Sequence, residues 1–434
     1  MSSCTHTPFS TDSSEHAKST RYKRTEENRR IAATQPSGRV PKNVEDLKVS
    51  PLTFPAPLIL PGDELAEDGT YPPQSLRAWN NLSVRNPVTQ DRRTIYLVAP
   101  PEISKEASFM QRWSEPKPQA RSSSSTKSKQ KSLQQPAIDD IFAFFQAFYH
   151  GMEVQITSHP WRFTPWNSDG GIEHEDLSSA VALETLDSAV RIRTRSSPDG
   201  CFANQLNLLD LLDACIESVP KDAYAMCLIV NQDMFEDEED KFCCGRAYGG
   251  SRVAVVSTAR YHPLLDDYHD LERSHAWPAS HCALYMTAMC GKVLQKKSES
   301  STNPTTNQSA MGAAIEAHTS LPSLEREKVT PQELQGLWLG RICKTAAHEV
   351  GHCLGIDHCV YYACLMQGTM NIGEDARQPP FLCPVDLAKY AAAAGCDVQG
   401  RYEALLQFCL ARPDVHLFAA FAEWIRVRLM ELHA

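Results

Sequence analysis

The chain has 434 residues, is 42% apolar and carries a formal net charge of −10. That length suffices for one large domain or two modest ones, and the acidic balance argues against nucleic acid as a partner, because phosphate recognition needs a positive surface. The sequence has no run of about eighteen apolar residues and predicts no membrane span; residues 1–6 lack the basic-then-apolar pattern of a secretory leader, and fifteen cysteines then imply a reducing compartment, cytoplasm or nucleus, with thiols kept reduced or on metal.

Residues 1–55 are rich in Ser, Thr and charge and poor in large apolar residues, which predicts a disordered tail. The basic cluster Arg21-Tyr22-Lys23-Arg24 is followed by Glu26 and Glu27 and reads as solvated chain. The Pro-rich stretch 51–90 is expected to wrap the surface without much regular structure. Thr94–Val98 reads as a strand, rich in β-branched and aromatic residues. A Ser-rich run, Arg121 to Lys127, marks a flexible insertion at about 116–136. Ile138 to Phe145 begins an amphipathic helix that ends near Gly151; Met152–Ile156 and Val190–Arg193 are strands. Gln205–Val219 is helical by its Leu spacing, stopped by Pro220. Ala225–Val230 is a continuous apolar strand, expected at the centre of a sheet. The acidic run Phe235–Asp240 reads as a solvated loop. Arg252–Ser257 is a further strand, entered through Gly249-Gly250. A second flexible insertion is expected at about 290–325. Helices then close the chain over 331–354, 387–394, 402–410 and 417–429. Alternation of helix and strand predicts an α/β fold, a mixed twisted sheet packed on helices, within a single domain over 56–434.

The densest chemistry is at His348-Glu349-Val350-Gly351-His352-Cys353-Leu354-Gly355-Ile356-Asp357-His358. Two His four residues apart share one face of a helix, one turn from each other, within reach of a single zinc ion. Glu349 lies beside them as a candidate general base. Gly355 lets the helix end in a left-handed turn, after which His358 can return as a third ligand. Three protein ligands and an open fourth position are the arrangement of a catalytic zinc. The helix has a start signal at Thr330-Pro331-Gln332-Glu333: an N-cap Thr, Pro at the first helical position and a capping-box Glu. Its C-terminal turns, where positive charge is favoured, hold the His pair.

Cys359, Cys364 and Cys383 follow at once, with Met366 two residues beyond Cys364. Without a secretory leader such a cluster reads as metal binding before disulfide. The segment His348 to Asp386 resembles the archaemetzincin family of zinc metalloproteins: His-Glu-x-x-His-x-x-Gly-x-x-His-Cys, four residues, Cys-x-Met, and later a Cys-x-x-Cys. The resemblance implies a metzincin-like zinc peptidase domain with a long active-site helix, a turn at Met366 under the zinc site, and a second, structural zinc on the Cys residues. One position departs from the pattern, since Asp386 stands where the last Cys is expected. Asp can ligate zinc through oxygen, so Cys359, Cys364, Cys383 and Asp386 make four ligands; the alternatives are that Cys396 moves in or that the second site is lost. The resemblance extends to Cys244-Gly245-Arg246-Ala247 and Arg252–Ser257. These look like the family's edge-strand region, where a strand above the zinc would pair with an extended substrate; a plain core strand is the competing reading.

Eleven of the other cysteines, Cys201, Cys215, Cys227, Cys243, Cys244, Cys282, Cys290, Cys343, Cys353, Cys396 and Cys409, read as small buried groups or thiols, and His281-Cys282 has no ligand spacing to anything nearby. Tyr361 and Tyr362 read as packing groups. The function expected is a zinc-dependent metallopeptidase: His348, His352 and His358 hold the metal, and Glu349 is the general base toward zinc-activated water. Its partner would be a peptide or protein substrate; endo- and aminopeptidase cleavage and the oligomeric state stay open. The alternative is a catalytically silent, zinc-stabilised peptide- or partner-binding protein, for which an intact Glu349 has no use.

Overall fold

The computed structural model describes residues 4, 6, 8–117, 133–166, 179–291, 309–325 and 329–433. The Ser-rich run 121–127 lies outside them, as do residues 292–308 of the second expected insertion. Eleven strands occur among the described residues: β1 (Thr94–Val98), β2 (Glu102–Ile103), β3 (Glu153–Ile156), β4 (Arg162–Pro165), β5 (Ala180–Glu184), β6 (Ala189–Ser196), β7 (Asn204–Asn207), β8 (Ala223–Val230), β9 (Asp233–Phe235), β10 (Gly245–Tyr248) and β11 (Val253–Ser257). The helices are α1 (Glu27–Ala33), α2 (Glu64–Glu67), α3 (Leu76–Asn80), α4 (Ile138–Phe148), α5 (Leu208–Ser218), α6 (Ala283–Met289), α7 (Ala310–Ser320), α8 (Pro331–Cys353), α9 (Ile372–Arg377), α10 (Pro384–Ala394), α11 (Val398–Leu410) and α12 (His416–His433). None is long and apolar enough to cross a membrane. The expected α/β class is observed. The chain divides into two compact units, one of residues 1–83, 270–340 and 356–434, the other of 84–269 and 341–355.

The second unit carries both sheets. One has the order β10-β11-β8-β1-β3, the other β2-β4-β5-β6-β7-β9. In the first, β1 runs parallel to β3 and β8, β8 runs parallel to β11, and β10 closes the edge antiparallel to β11. Every residue of β8 is buried, as its unbroken apolar run requires of a strand covered on both faces. Helix α5 starts at Asn207, whose side chain accepts from the Asp210 N–H. Its Leu208, Leu211, Leu212 and Cys215 pack in one core with Met226, Leu228, Val253 and Val255; each fully buried aliphatic side chain of this kind contributes about 1.5–3 kcal/mol. The strand at Val253–Ser257 is not the edge: it is buried throughout and paired on both sides. Its run of Val and Ala has no polar face to offer solvent. The exposed edge is β10, whose side chains alternate half-buried and exposed.

The first unit is helical. Its core is aromatic, with Phe381 stacked on Trp424 at 4.2 Å between ring centres and Phe54 edge-on to both. Three expectations are corrected here. The disordered tail expected over 1–55 contains α1, with Ile31 and Ala33 buried, and its backbone pairs with the stretch after it, Ser14 N–H to Leu58 O at 2.8 Å and Ala56 N–H to Thr11 O at 3.0 Å. Composition registers side chains and misses main-chain pairing of this kind. Residues 53–60, expected to wrap the surface, are buried without a break. Within the insertion expected over 290–325, α7 is capped by Ser309 and buries Met311, Ala314 and Ile315.

Candidate metal centre

Helix α8 begins as its sequence signals. Thr330 N–H donates to the Glu333 carboxylate at 2.8 Å and Glu333 N–H donates to Thr330 Oγ1 at 3.3 Å, the reciprocal pair of a capping box. Its last three turns are anchored within the second unit. Arg341 makes a two-point ion pair with Asp266 at 2.7 and 2.9 Å, a fork geometry that fixes direction as well as charge. Tyr149 OH donates to Ala347 O at 2.6 Å, and Tyr224 OH donates to Cys353 O at 3.1 Å. Ala346, Ala347 and Val350 are fully buried, so His348 and His352 fall on the opposite, half-buried face. Their Nε2 atoms lie 3.0 Å apart with the rings edge to face. The helix stops where Gly355 takes φ +75°, and its N–H donates to His352 O at 2.9 Å. A side chain at Gly355 would be strained by that φ and would press on Arg85 at 3.1 Å.

Glu349 is nearly buried and lies against the edge strand. A Cβ at Gly245 would meet Glu349 Cγ at 3.1 Å and Oε1 at 3.2 Å, so the absence of a side chain there is what admits the carboxylate. Gly249, in the turn between β10 and β11, likewise lets the backbone close on His352 O, where a Cβ would stand at 2.6 Å. Arg246, on β10, pairs with Glu236.

His358 belongs to the first unit, in the segment that follows Gly355. Its Nδ1 lies 2.8 Å from Glu64 Oε1, its N–H donates to Asp357 Oδ1 at 2.9 Å, and Tyr71 OH donates to the same carboxylate. Sequence reasoning did not find Glu64. It lies almost three hundred residues upstream, and its trace in the motif region is Gly368, where a Cβ would collide with the Glu64 carboxylate. Gln74 ties the His358 loop to α10, its Oε1 accepting from Asp357 N–H at 3.1 Å and from Lys389 at 2.9 Å.

Cys359, Cys364, Cys383 and Asp386 converge, all buried, with one ligand atom of each within 4.8 Å of the others. Cys359 and Cys383 sulfurs are 3.5 Å apart, and Asp386 Oδ2 lies 3.2 Å from Cys364 Sγ and 3.4 Å from Cys383 Sγ. Cys383 is the N-cap of α10 with Pro384 at the first helical position, which places Asp386 one turn inside the cluster. Cys396 is not among the converging groups. On the far side of the carboxylate, Lys389 donates to Asp386 Oδ1 at 2.7 Å. Burial, together with the Cys359 charge, pushes the Asp386 carboxyl up to about 7 against the pull of Lys389. Burial also works against a Cys359 thiolate, yet hydrogen bonds from Cys364 and Cys383 and the charge of Lys389 hold it well below the ordinary thiol range, while burial pushes the other two thiols up. Concentrated acceptors of this kind in a dry pocket are suited to a soft-ligand metal. Met366 is fully buried beneath the same loop, its carbonyl accepting from Cys359 N–H at 2.7 Å.

The family model of peptidase family M54 matches residues 308–389. Archaemetzincin-2 of Macaca fascicularis and of Homo sapiens are each 28% identical over 204 residues, 47% of this chain and 46% of theirs. Archaemetzincin-2 of Rattus norvegicus is 43% identical over 76 residues, 18% of this chain and 21% of its own. The chain is similar to the archaemetzincins, and its residues 308–389 match the M54 family model. The chain spans about half the length of the curated archaemetzincins it matches, or less. Solved archaemetzincins from Methanopyrus kandleri and Archaeoglobus fulgidus align at TM-scores of 0.31 and 0.30 with 14% identity, covering 69% and 68% of this chain and 95% and 99% of theirs.

All fifteen cysteines are thiols. Most of those outside the archaemetzincin segment fit the expected buried or half-buried role; burial pushes Cys201 up to about 11 and Cys243 up to about 12. Tyr361 and Tyr362 are buried packing groups, as expected, Tyr362 lying edge-on to Phe54 and under Arg30. Cys282 departs from the expectation: it meets Cys4, His6 and His275.

Proposed function

We propose that the chain is a zinc-dependent metallopeptidase that hydrolyses peptide bonds with Glu349 as general base. The observation that carries this reading is the His348–His352 pair. Two nitrogens of a tetrahedral zinc at the usual Zn–N distance stand about 3.3 Å apart, and the two Nε2 atoms stand 3.0 Å apart on one helix face, so the pair fits the ion. His358 is proposed as the third ligand, six residues on and past the left-handed turn at Gly355. Glu64, by accepting from Nδ1, fixes the tautomer in which Nε2 ligates, the usual role of a carboxylate behind a metal-bound imidazole. Cys359, Cys364, Cys383 and Asp386 are proposed to hold a second, structural zinc, with Asp386 Oδ2 as the fourth ligand and Lys389 offsetting part of the negative charge.

Zinc at the His motif would supply Lewis acidity toward water and the scissile carbonyl. Glu349 would take the proton of the attacking water and pass it to the leaving amine, a transfer that contributes roughly 10²–10⁴-fold. The outer edge of β10 would receive an extended peptide as an added strand, with Gly245 letting the bound backbone pass close to Glu349. The test is digestion of a peptide mixture by the parent and by Glu349→Ala, with zinc measured in both. Cleavage by the parent alone, at equal zinc, supports the reading. Equal cleavage by both, or none by a zinc-loaded parent, would overturn it in favour of a silent binding module.

A further inference from the structure

Cys4, His6, His275 and Cys282 take no part in the function proposed above. They come from two stretches almost three hundred residues apart, both within the first unit, and one ligand atom of each lies within 4.8 Å of the others. The start of the chain is laid down there by backbone pairing. Ser10 N–H donates to His281 O at 2.9 Å, Ala283 N–H donates to Pro8 O at 3.0 Å, and Phe9 bridges antiparallel to Cys282. Cys4 is thereby brought to Cys282, with the sulfurs 3.7 Å apart. That is the separation of two thiolates on one tetrahedral zinc, about 3.8 Å for Zn–S bonds of about 2.3 Å.

The two imidazoles are arranged to ligate. His275 Nδ1 lies 2.8 Å from Glu272 Oε1, and its ring stacks flat on Tyr285 with centres 4.4 Å apart. The carboxylate sets the tautomer and the stack sets the plane, as in the outer shell of zinc-bound histidines. This leaves Nε2 as the coordinating nitrogen, and that atom is buried with no hydrogen-bond partner; so is His6 Nδ1. The two residues are only 7% and 6% exposed. A buried ring nitrogen without a partner has given up its hydrogen bond with water, and a ligand atom of each of these two imidazoles lies within 4.8 Å of both thiols. His6 N–H also donates to Cys4 Sγ at 3.4 Å, a contact that favours a ligating thiolate. His6 takes φ +56°, a conformation uncommon outside Gly, Asn, Asp and His that persists where its surroundings fix it.

We propose that Cys4, His6, His275 and Cys282 form a tetrahedral Cys₂His₂ zinc site that fastens the start of the chain to the segment entering α6. Two sulfurs and two nitrogens select zinc over the hard cations that prefer oxygen. Each thiol releases its proton on binding, and the closed ligand set leaves no position for water, so the site is structural. It ties the segment that pairs with residues 56–58 to the body of the first unit, and its binding energy becomes stability of that unit.

The test is zinc per chain by elemental analysis on the full chain, tagged at its end distant from Cys4. The proteins are the parent, Cys4→Ser, His6→Ala and the ligand-retaining His6→Cys, with circular dichroism to confirm that each is folded. The expected result is one zinc fewer than the parent in Cys4→Ser and in His6→Ala, and the parent's count in His6→Cys. Retention of the full count by both loss variants would overturn the proposal, as would a Cys4–Cys282 disulfide found by mass spectrometry of protein purified without reductant. Because the readout is a difference of one ion from whatever the parent holds, it is independent of the two sites proposed above; His352→Ala and Asp386→Ala report on those separately.

Discussion

His348, His352 and His358 are each half-buried, whereas Cys359, Cys364, Cys383 and Asp386 are buried outright. The imidazole pair stands on the last turns of a helix whose backbone is fastened by Arg341, Tyr149 and Tyr224. The thiol cluster is wrapped by its own loop, by α10 and by the Asp386–Lys389 ion pair. The contrast is one of access. A site that must exchange water and admit a peptide keeps a polar face and takes its rigidity from behind, while a site that only fastens the chain can be sealed and can satisfy its charges internally. The two regions should therefore answer differently to the same insult, so that a substitution in one alters catalysis and spares stability, and a substitution in the other does the opposite.

The largest effect is expected from His352→Ala, which should lose one zinc and bring peptide hydrolysis to the blank level while shifting the melting temperature by only a few degrees. Assay beside thermal melting checks both. Asp386→Ala should do the reverse. Removing the carboxylate leaves Lys389 charged and buried, a loss of about 3–5 kcal/mol when one partner of a buried pair is deleted, read as a lower denaturation midpoint together with loss of one zinc. Glu64→Gln should weaken zinc binding at the His motif by roughly tenfold, the low end for loss of a carboxylate behind a ligating His, as measured by competition with a chromophoric chelator. Gly245→Ala should be the mildest. A Cβ 3.1–3.2 Å from Glu349 requires a displacement of a few tenths of an ångström, and a few-fold fall in kcat/KM at unchanged zinc content is expected.

The features legible in the sequence are those in which one short segment carries both structure and chemistry. The capping box at Thr330, the helix end at Gly355 and the His spacing all lie within thirty residues, so local geometry decides them. The thiol cluster is legible for the same reason, whereas Asp386 is singled out only by the resemblance to the archaemetzincin pattern. What the sequence does not disclose depends on pairing between distant segments. Glu64 reaches His358 from the far end of the chain. The edge of the sheet is β10 rather than β11, which only the strand order reveals. Cys282 has no ligand partner in its own neighbourhood and acquires three only when residues 4–10 are laid beside it. The start of the chain reads as too polar to order, because its stabilisation comes from backbone hydrogen bonds to residues 56–58 and 281–283 that composition does not register.

The most direct test of the contrast between open and sealed sites is a timed exposure of the parent to a zinc chelator, following peptide hydrolysis and melting temperature in the same samples. The account predicts that hydrolysis is lost first, with one zinc, while the melting temperature holds until the remaining zinc is drawn out. Hydrolysis and melting temperature falling together, or hydrolysis persisting after the first zinc has left, would contradict it.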